Sequence, residues 1–421
     1  MLMALPVTAF AQITEYSSRV VDAETGEPLP MATVQGAAES TVANVEGQFS
    51  MKADAGDVLK ISYIGYKPLS IKAADIKSAI RLHPADIQLK EVTVKSFTPT
   101  IEKVIRKSVE VLDKYGDTRS NFLYRQTTEV DGVPSSMVEA FFNASSCCAV
   151  SDMKLITGSY SERDKQQNDG YSHIANFYPF SQMQLVGKRK KLWRDEMVIP
   201  LFEGYRQFYD TDHEVVDDGE RKIFRISFKA REPIGRMMFE GEVFVDAQSY
   251  RLLMAKGKIN NVRIIKDFGA AGGEKMPADV QVTIMFNEKS RYGEVQTVMV
   301  DAKYGKSFAD YRFRSILYNV GKRNVGKVVD AKGTSDLRKQ IEAIGYNKQF
   351  WKDNEVVKRT AVEAELARLR DGQATSENKP SYTSLQYNIR RFVEGIDRFN
   401  RYFPQEKVYL HFDNTGYFLD E

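Results

Sequence analysis

The side chains that most often carry metal or nucleophilic chemistry are sparse here. There are four histidines, His83, His173, His213 and His411, and two adjacent cysteines, Cys147 and Cys148. A catalytic zinc site takes three protein ligands and keeps a position open, so a zinc peptidase needs a His and a Glu close in sequence plus a distant His. No histidine begins a His-x-x-Glu or His-Glu-x-x-His pattern. His213 and Glu214 are neighbours, and on a strand neighbouring side chains point apart. Asp210, Asp212, His213, Glu214, Asp217 and Asp218 form the densest group of potential ligands. Oxygen-rich loops hold calcium, but the Asp-x-Asp-x-Asp-Gly spacing is missing, which favours a solvated hairpin.

Other chemistries find as little support. A disulfide between adjacent cysteines is strained, so Cys147 and Cys148 read better as two half-buried small residues at a strand end. There is no Gly-x-Ser-x-Gly elbow, although distant Ser, His and Asp residues could still converge. Gly269-Ala270-Ala271-Gly272-Gly273 lacks the Lys-Ser/Thr of a phosphate loop and reads as a mobile loop. Lys188-Arg189-Lys190-Lys191, followed by Trp193-Arg194, could meet anionic headgroups or glycans. A charged sheet edge that blocks strand addition is the preferred reading. The sequence thus nominates no catalytic, cofactor-binding or metal-binding residue and calls for no cofactor.

The elements around these residues are mostly strands. The 421 residues suit two to four domains, and 42% apolar with 11% aromatic residues are enough for real cores. Sixty basic against 57 acidic residues leave a net charge of +3, which demands no nucleic-acid partner. Leu2 to Phe10 is an apolar run that ends in Ala9-Phe10-Ala11, a signal-peptidase pattern, so cleavage is expected after Ala11 to give Gln12. The alternative is a buried first strand. No Cys follows the run to take a lipid, and no later stretch is apolar for 18 residues, so no membrane helix is expected.

From Arg19 to Ile71, short apolar runs alternate with turns at Thr25-Gly26-Glu27-Pro28, Glu46-Gly47, Ala55-Gly56-Asp57 and Ile64-Gly65. Many short strands at this spacing predict a small antiparallel sandwich. Five pieces in order also resemble the carboxypeptidase regulatory-like domain. They are Val21-Asp22, Thr25-Gly26-Glu27-Pro28-Leu29-Pro30, Ala32-Thr33-Val34, Asn44-Val45-Glu46-Gly47-Gln48-Phe49, and Gly56-Asp57-Val58-Leu59 leading to Ser62-Tyr63-Ile64-Gly65-Tyr66. The family commonly has Gly near Arg19 and Gly-Thr near Ala43, so two turns are drawn differently here. The resemblance covers residues 13–95. It implies a prealbumin-like seven-stranded β-sandwich, a non-catalytic accessory module common on periplasmic and surface proteins of Bacteroidetes-type bacteria. The family's name does not bring zinc carboxypeptidase activity, because the ligand pattern is missing.

Asp86 to Ser96 suits a closing strand. Thr100 to Tyr115 predicts an amphipathic helix with Ile101, Val104, Ile105, Val109 and Leu112 on one face. Residues 121–320 read as a long antiparallel meander, with hairpin turns at Asp131-Gly132, Asp218-Gly219, Asp246-Ala247-Gln248-Ser249 and Tyr292-Gly293. Such a sheet must close, pack or be covered, and the helix at Thr100 is the candidate cover. Segments Phe122–Gln126, Val138–Ala140, Lys154–Gly158 and Glu240–Asp246 resemble the region that follows this module in some Bacteroidetes exported proteins. The region is also similar, more distantly, to the curved sheet of periplasmic lipoprotein carriers. Asp336 to Leu369 is expected to be helical with a break at Phe350-Trp351, and Leu385 to Tyr402 helical again. Phe403 to Glu421 resembles the opening of a macroglobulin-type domain, through Glu406-Lys407-Val408-Tyr409-Leu410 and the Asn414-Thr415-Gly416 turn.

The expected organisation is therefore mainly β with accessory helices. A signal peptide over 1–11 precedes the sandwich over 12–96. An antiparallel domain, a half-barrel in one reading, follows over 97–330 with its covering helix at 100–115. A helical segment over 331–372, a linker over 373–384, a helix over 385–402 and a truncated macroglobulin-like start over 403–421 complete it. The function expected is that of a non-enzymatic exported cell-envelope protein, its sandwich a spacer or binding module in a longer macroglobulin-like periplasmic or surface protein. The partner would be a protein or glycan in the envelope, with an outer-membrane receptor among the candidates and no nucleic acid. The alternatives are an accessory of TonB-dependent outer-membrane uptake, or a periplasmic lipid- or lipoprotein-binding protein. A hydrolase with unrecognised residues would show converging titratable groups in a concave pocket.

Overall fold

A computed structural model describes residues 13–88, 99–112, 114, 116, 118–147, 150–163, 200–202, 204–231, 238–265, 275–288, 290, 293–306, 309–329, 337–373, 409–413 and 416–420. The expected cleavage site, Cys148, His173, the basic run at Lys188, the glycine loop at Gly269 and the helix over 385–402 lie outside the described residues.

The first seven strands are β1 (Thr14–Asp22), β2 (Thr33–Gln35), β3 (Ser40–Val42), β4 (Gln48–Ala53), β5 (Val58–Ser62), β6 (Leu69–Lys72) and β7 (Ala79–Leu82). They form two sheets, ordered β4-β1-β7 and β3-β2-β5-β6. Only the β1–β7 pair among them is parallel. Alternation buries Val20, Phe49, Met51, Leu59, Ile61 and Ile80 between the sheets. The next strand, β8 (Asp86–Gln88), does not close this sandwich. It pairs antiparallel with β12 (Tyr209–Asp217) through Val215, Val216 and Asp217. Its apolar alternation suited a sheet edge, and tertiary packing chose which sheet.

The second unit is one antiparallel sheet. Its strands are β9 (Thr118–Val130), β10 (Val133–Ser146), β11 (Val150–Glu162), β12, β13 (Lys222–Ala230), β14 (Met238–Asp246), β15 (Leu252–Ile265), β16 (Lys275–Phe286), β17 (Val295–Lys306) and β18 (Ala309–Gly321). With β8 it counts eleven strands, ordered β11-β10-β9-β18-β17-β16-β15-β14-β13-β12-β8. Among the described residues the end strands do not pair with each other, so the sheet they form is open. Gly241 and Gly257 face each other across β14 and β15. A Cβ on Gly257 would stand 2.1 Å from the Glu240 carbonyl oxygen, so the two backbones approach closer than any side chain permits.

Both faces are covered. Helix α1 (Ile101–Leu112) starts with the Thr100 hydroxyl accepting from the Lys103 N–H, and buries Val104, Ile105 and Leu112. These join Phe122, Tyr124, Val138, Ile226, Val243, Ile284 and Val298 in one core. On the opposite face, Val216, Ile223, Phe244, Leu253, Met254 and Met285 merge with the sandwich core. Further along that face lies the helical tail, α2 (Leu337–Ile344), α3 (Lys348–Asp353) and α4 (Ala361–Gln373). The expected break at Phe350-Trp351 falls elsewhere. Both residues lie within α3, which Asn347 caps by accepting from the Phe350 N–H, and the chain leaves helical geometry at 354–360. Trp351 is buried beside Phe141, and that contact holds the short helix. The Val329 N–H donates to the Leu155 carbonyl, which occupies part of edge strand β11. A hairpin of β19 (Tyr409–Asp413) and β20 (Gly416–Asp420) pairs with itself among the described residues.

Candidate functional site

Strand alternation alone would put Arg125 of β9 and Glu139 of β10 side by side on the tail-covered face, because the two residues are registered partners. Their neighbours on that face include Leu123, Phe141 and Ile316, all buried. An ion pair there must be closed off by further polar groups, since a lone buried charge is costly. The tail supplies them. Arg125 Nε donates to Glu139 Oε1 at 2.7 Å, and Arg359 donates to both Glu139 oxygens at 3.1 and 2.7 Å. Arg125 Nη1 lies 3.4 Å from Glu363 Oε2. Arg125 is 2% exposed and Glu139 2%.

The local sequence after Arg359 explains its position. Thr360 and Glu363 form a reciprocal cap at the start of α4: the Glu363 N–H donates to Thr360 Oγ1 and the Thr360 N–H to Glu363 Oε2. Glu355 accepts from the Arg359 N–H and side chain. The sandwich meets the same stretch: Thr41 Oγ1 donates to the Val356 carbonyl at 2.8 Å and the Asn44 amide to that of Lys358 at 3.1 Å. Sandwich, large sheet and tail thus converge on residues 355–363.

The electrostatics favour the charged state. Burial alone would raise the Glu139 pKa, but Arg125 and Arg359 outweigh it and hold the carboxyl below the ordinary carboxylate range. Burial pushes the Arg359 guanidinium down, and Glu139 more than offsets this. Both Glu139 oxygens are taken, so the arrangement grips and orients a chain segment and offers no unpaired base. The Trp351 indole N–H is buried and has no acceptor among the described residues.

The residues that stood out in sequence are not gathered here. Asp210 pairs with Arg231 at 2.7 Å and Glu214 pairs with Arg225. Asp212 accepts from the His213 N–H, Asp217 from that of Gly219, and Asp218 from those of Glu220 and Arg221. His213 Nε2 lies 3.2 Å from the Pro99 carbonyl, just before α1. No group of three His, Cys, Asp or Glu residues suited to a metal occurs among the described residues. Cys147 is half-buried. Arg125, Glu139, Arg359 and Glu363 were passed over in the sequence. The signals that would have found them are a charge set inside each of two apolar strand runs, and the Thr-x-x-Glu capping spacing.

Several solved structures align with part of this chain. A LolA superfamily protein from Nitrosomonas europaea aligns at 10% identity and a TM-score of 0.22, over 57% of this chain and 99% of that one. A DUF1329 family protein from Desulfovibrio piger aligns at 12% and 0.20, over 54% and 97%. MucB in complex with MucA(peri) aligns at 10% and 0.17, over 52% and 93%. At these TM-scores the likenesses carry no argument about this chain. No curated protein matches it. Among the described residues no helix is long and apolar enough to cross a membrane. Residues 16–94 match the family model described as CarboxypepD_reg-like domain, a non-catalytic regulatory domain, in agreement with the resemblance read over residues 13–95.

Proposed function

We propose that the chain is a non-enzymatic, exported cell-envelope protein in which the regulatory-like sandwich is a docked binding module within a macroglobulin-like protein. The observation that carries this is the junction at Arg125, Glu139, Arg359 and Glu363. Its buried charges serve to hold sandwich, sheet and tail together, and the sandwich core continues into the sheet. A module held this way presents a surface in fixed orientation, unlike a spacer on a flexible tether. The apolar run ending at Ala11 and the match over residues 16–94 support the envelope part of the reading. In this reading residues 12–96 form the binding module and 97–330 its platform.

The test is fractionation of cells that make the native protein, followed by intact mass and N-terminal sequencing. Recovery from the envelope with Gln12 first and a mass above 47.9 kDa is the expected result. A cytosolic protein that retains Met1 overturns the proposal. A second reading, lipid or lipoprotein binding, draws on α1, whose Val104, Ile105 and Leu112 lie on the apolar face of the large sheet. Native mass spectrometry of the same preparation decides it: co-purifying lipid supports it, and a mass equal to protein alone rejects it.

A further inference from the structure

We draw no further inference here: the strongest candidate, the polar set of Tyr124, Gln126, Tyr160 and Glu162 on the apolar face of the large sheet, carries nothing, because Tyr124 already donates to Gln126 and Tyr160 to Glu162 within a packed core and nothing in the structure shows what else they would bind.

Discussion

Arg125 brings five N–H donors into a site that is 2% exposed, and only oxygens can satisfy them. Four bonds go to Glu139, Glu363 and the carbonyls of Val357 and Lys358. Glu139→Ala removes the carboxylate that two guanidiniums share. It is expected to destabilise the protein by about 3–5 kcal/mol, the scale for breaking one side of a buried pair, read from the denaturant midpoint. The pH dependence follows from the direction of the shift. The Glu139 pKa is lower in the folded state than in the unfolded chain, so its contribution is complete above the ordinary carboxylate value of about 4.3. It is lost as the pH falls through the lower folded value. Urea midpoints of the wild-type protein should therefore drop below about pH 4, and Glu139→Gln should flatten that part of the profile. Neither Arg125 nor Glu139 was legible as a buried residue. In an alternating strand a charge reads as outward-facing, and here the outward face is covered by a segment more than 200 positions away.

At the scale of elements, turns were the most legible features. Asp131-Gly132 turns with φ of 52° and 77°, the mirror-image hairpin geometry that the dipeptide signals. Strand β8 and the tail were less legible, because an apolar alternation or an amphipathic helix does not name the surface it will meet. Helix α2 meets β11 at Gly158, where a Cβ would stand 2.3 Å from Ile341 Cγ1. Gly158→Val is expected to displace α2 and cost about 1–3 kcal/mol, with faster proteolysis at 337–344 as the local readout. At the start of α4, Thr360→Ala removes one half of the reciprocal cap and should cost about 1 kcal/mol by thermal melting. A change of that size with no faster exchange at 361–364 would place its cause elsewhere.

For the whole molecule, the sandwich and the large sheet share one hydrophobic core, so they should not unfold separately. Phe244 is central to that core, 5% exposed and 3.4 Å from the position of a Cβ on Gly65. Phe244→Ala is expected to cost about 3–5 kcal/mol and to split the calorimetric trace into two transitions, where the wild-type protein shows one. The sandwich itself was legible because its turns and strands are local. Its attachment was not, since the contacts that fix it are long-range in sequence. The bond from Thr41 to the Val356 carbonyl spans 315 residues. A ribosome adding roughly 5–20 residues per second takes on the order of 15–60 s to cover that distance. During synthesis the sandwich strands therefore exist for that long before the shared clasp has been made, and the β9–β10 hairpin, which ends at Ser146, for about two thirds of it. Over that interval the Arg125 and Glu139 charges are still hydrated and Phe141 is bare, which makes the nascent chain a customer for chaperones in a way the finished fold is not.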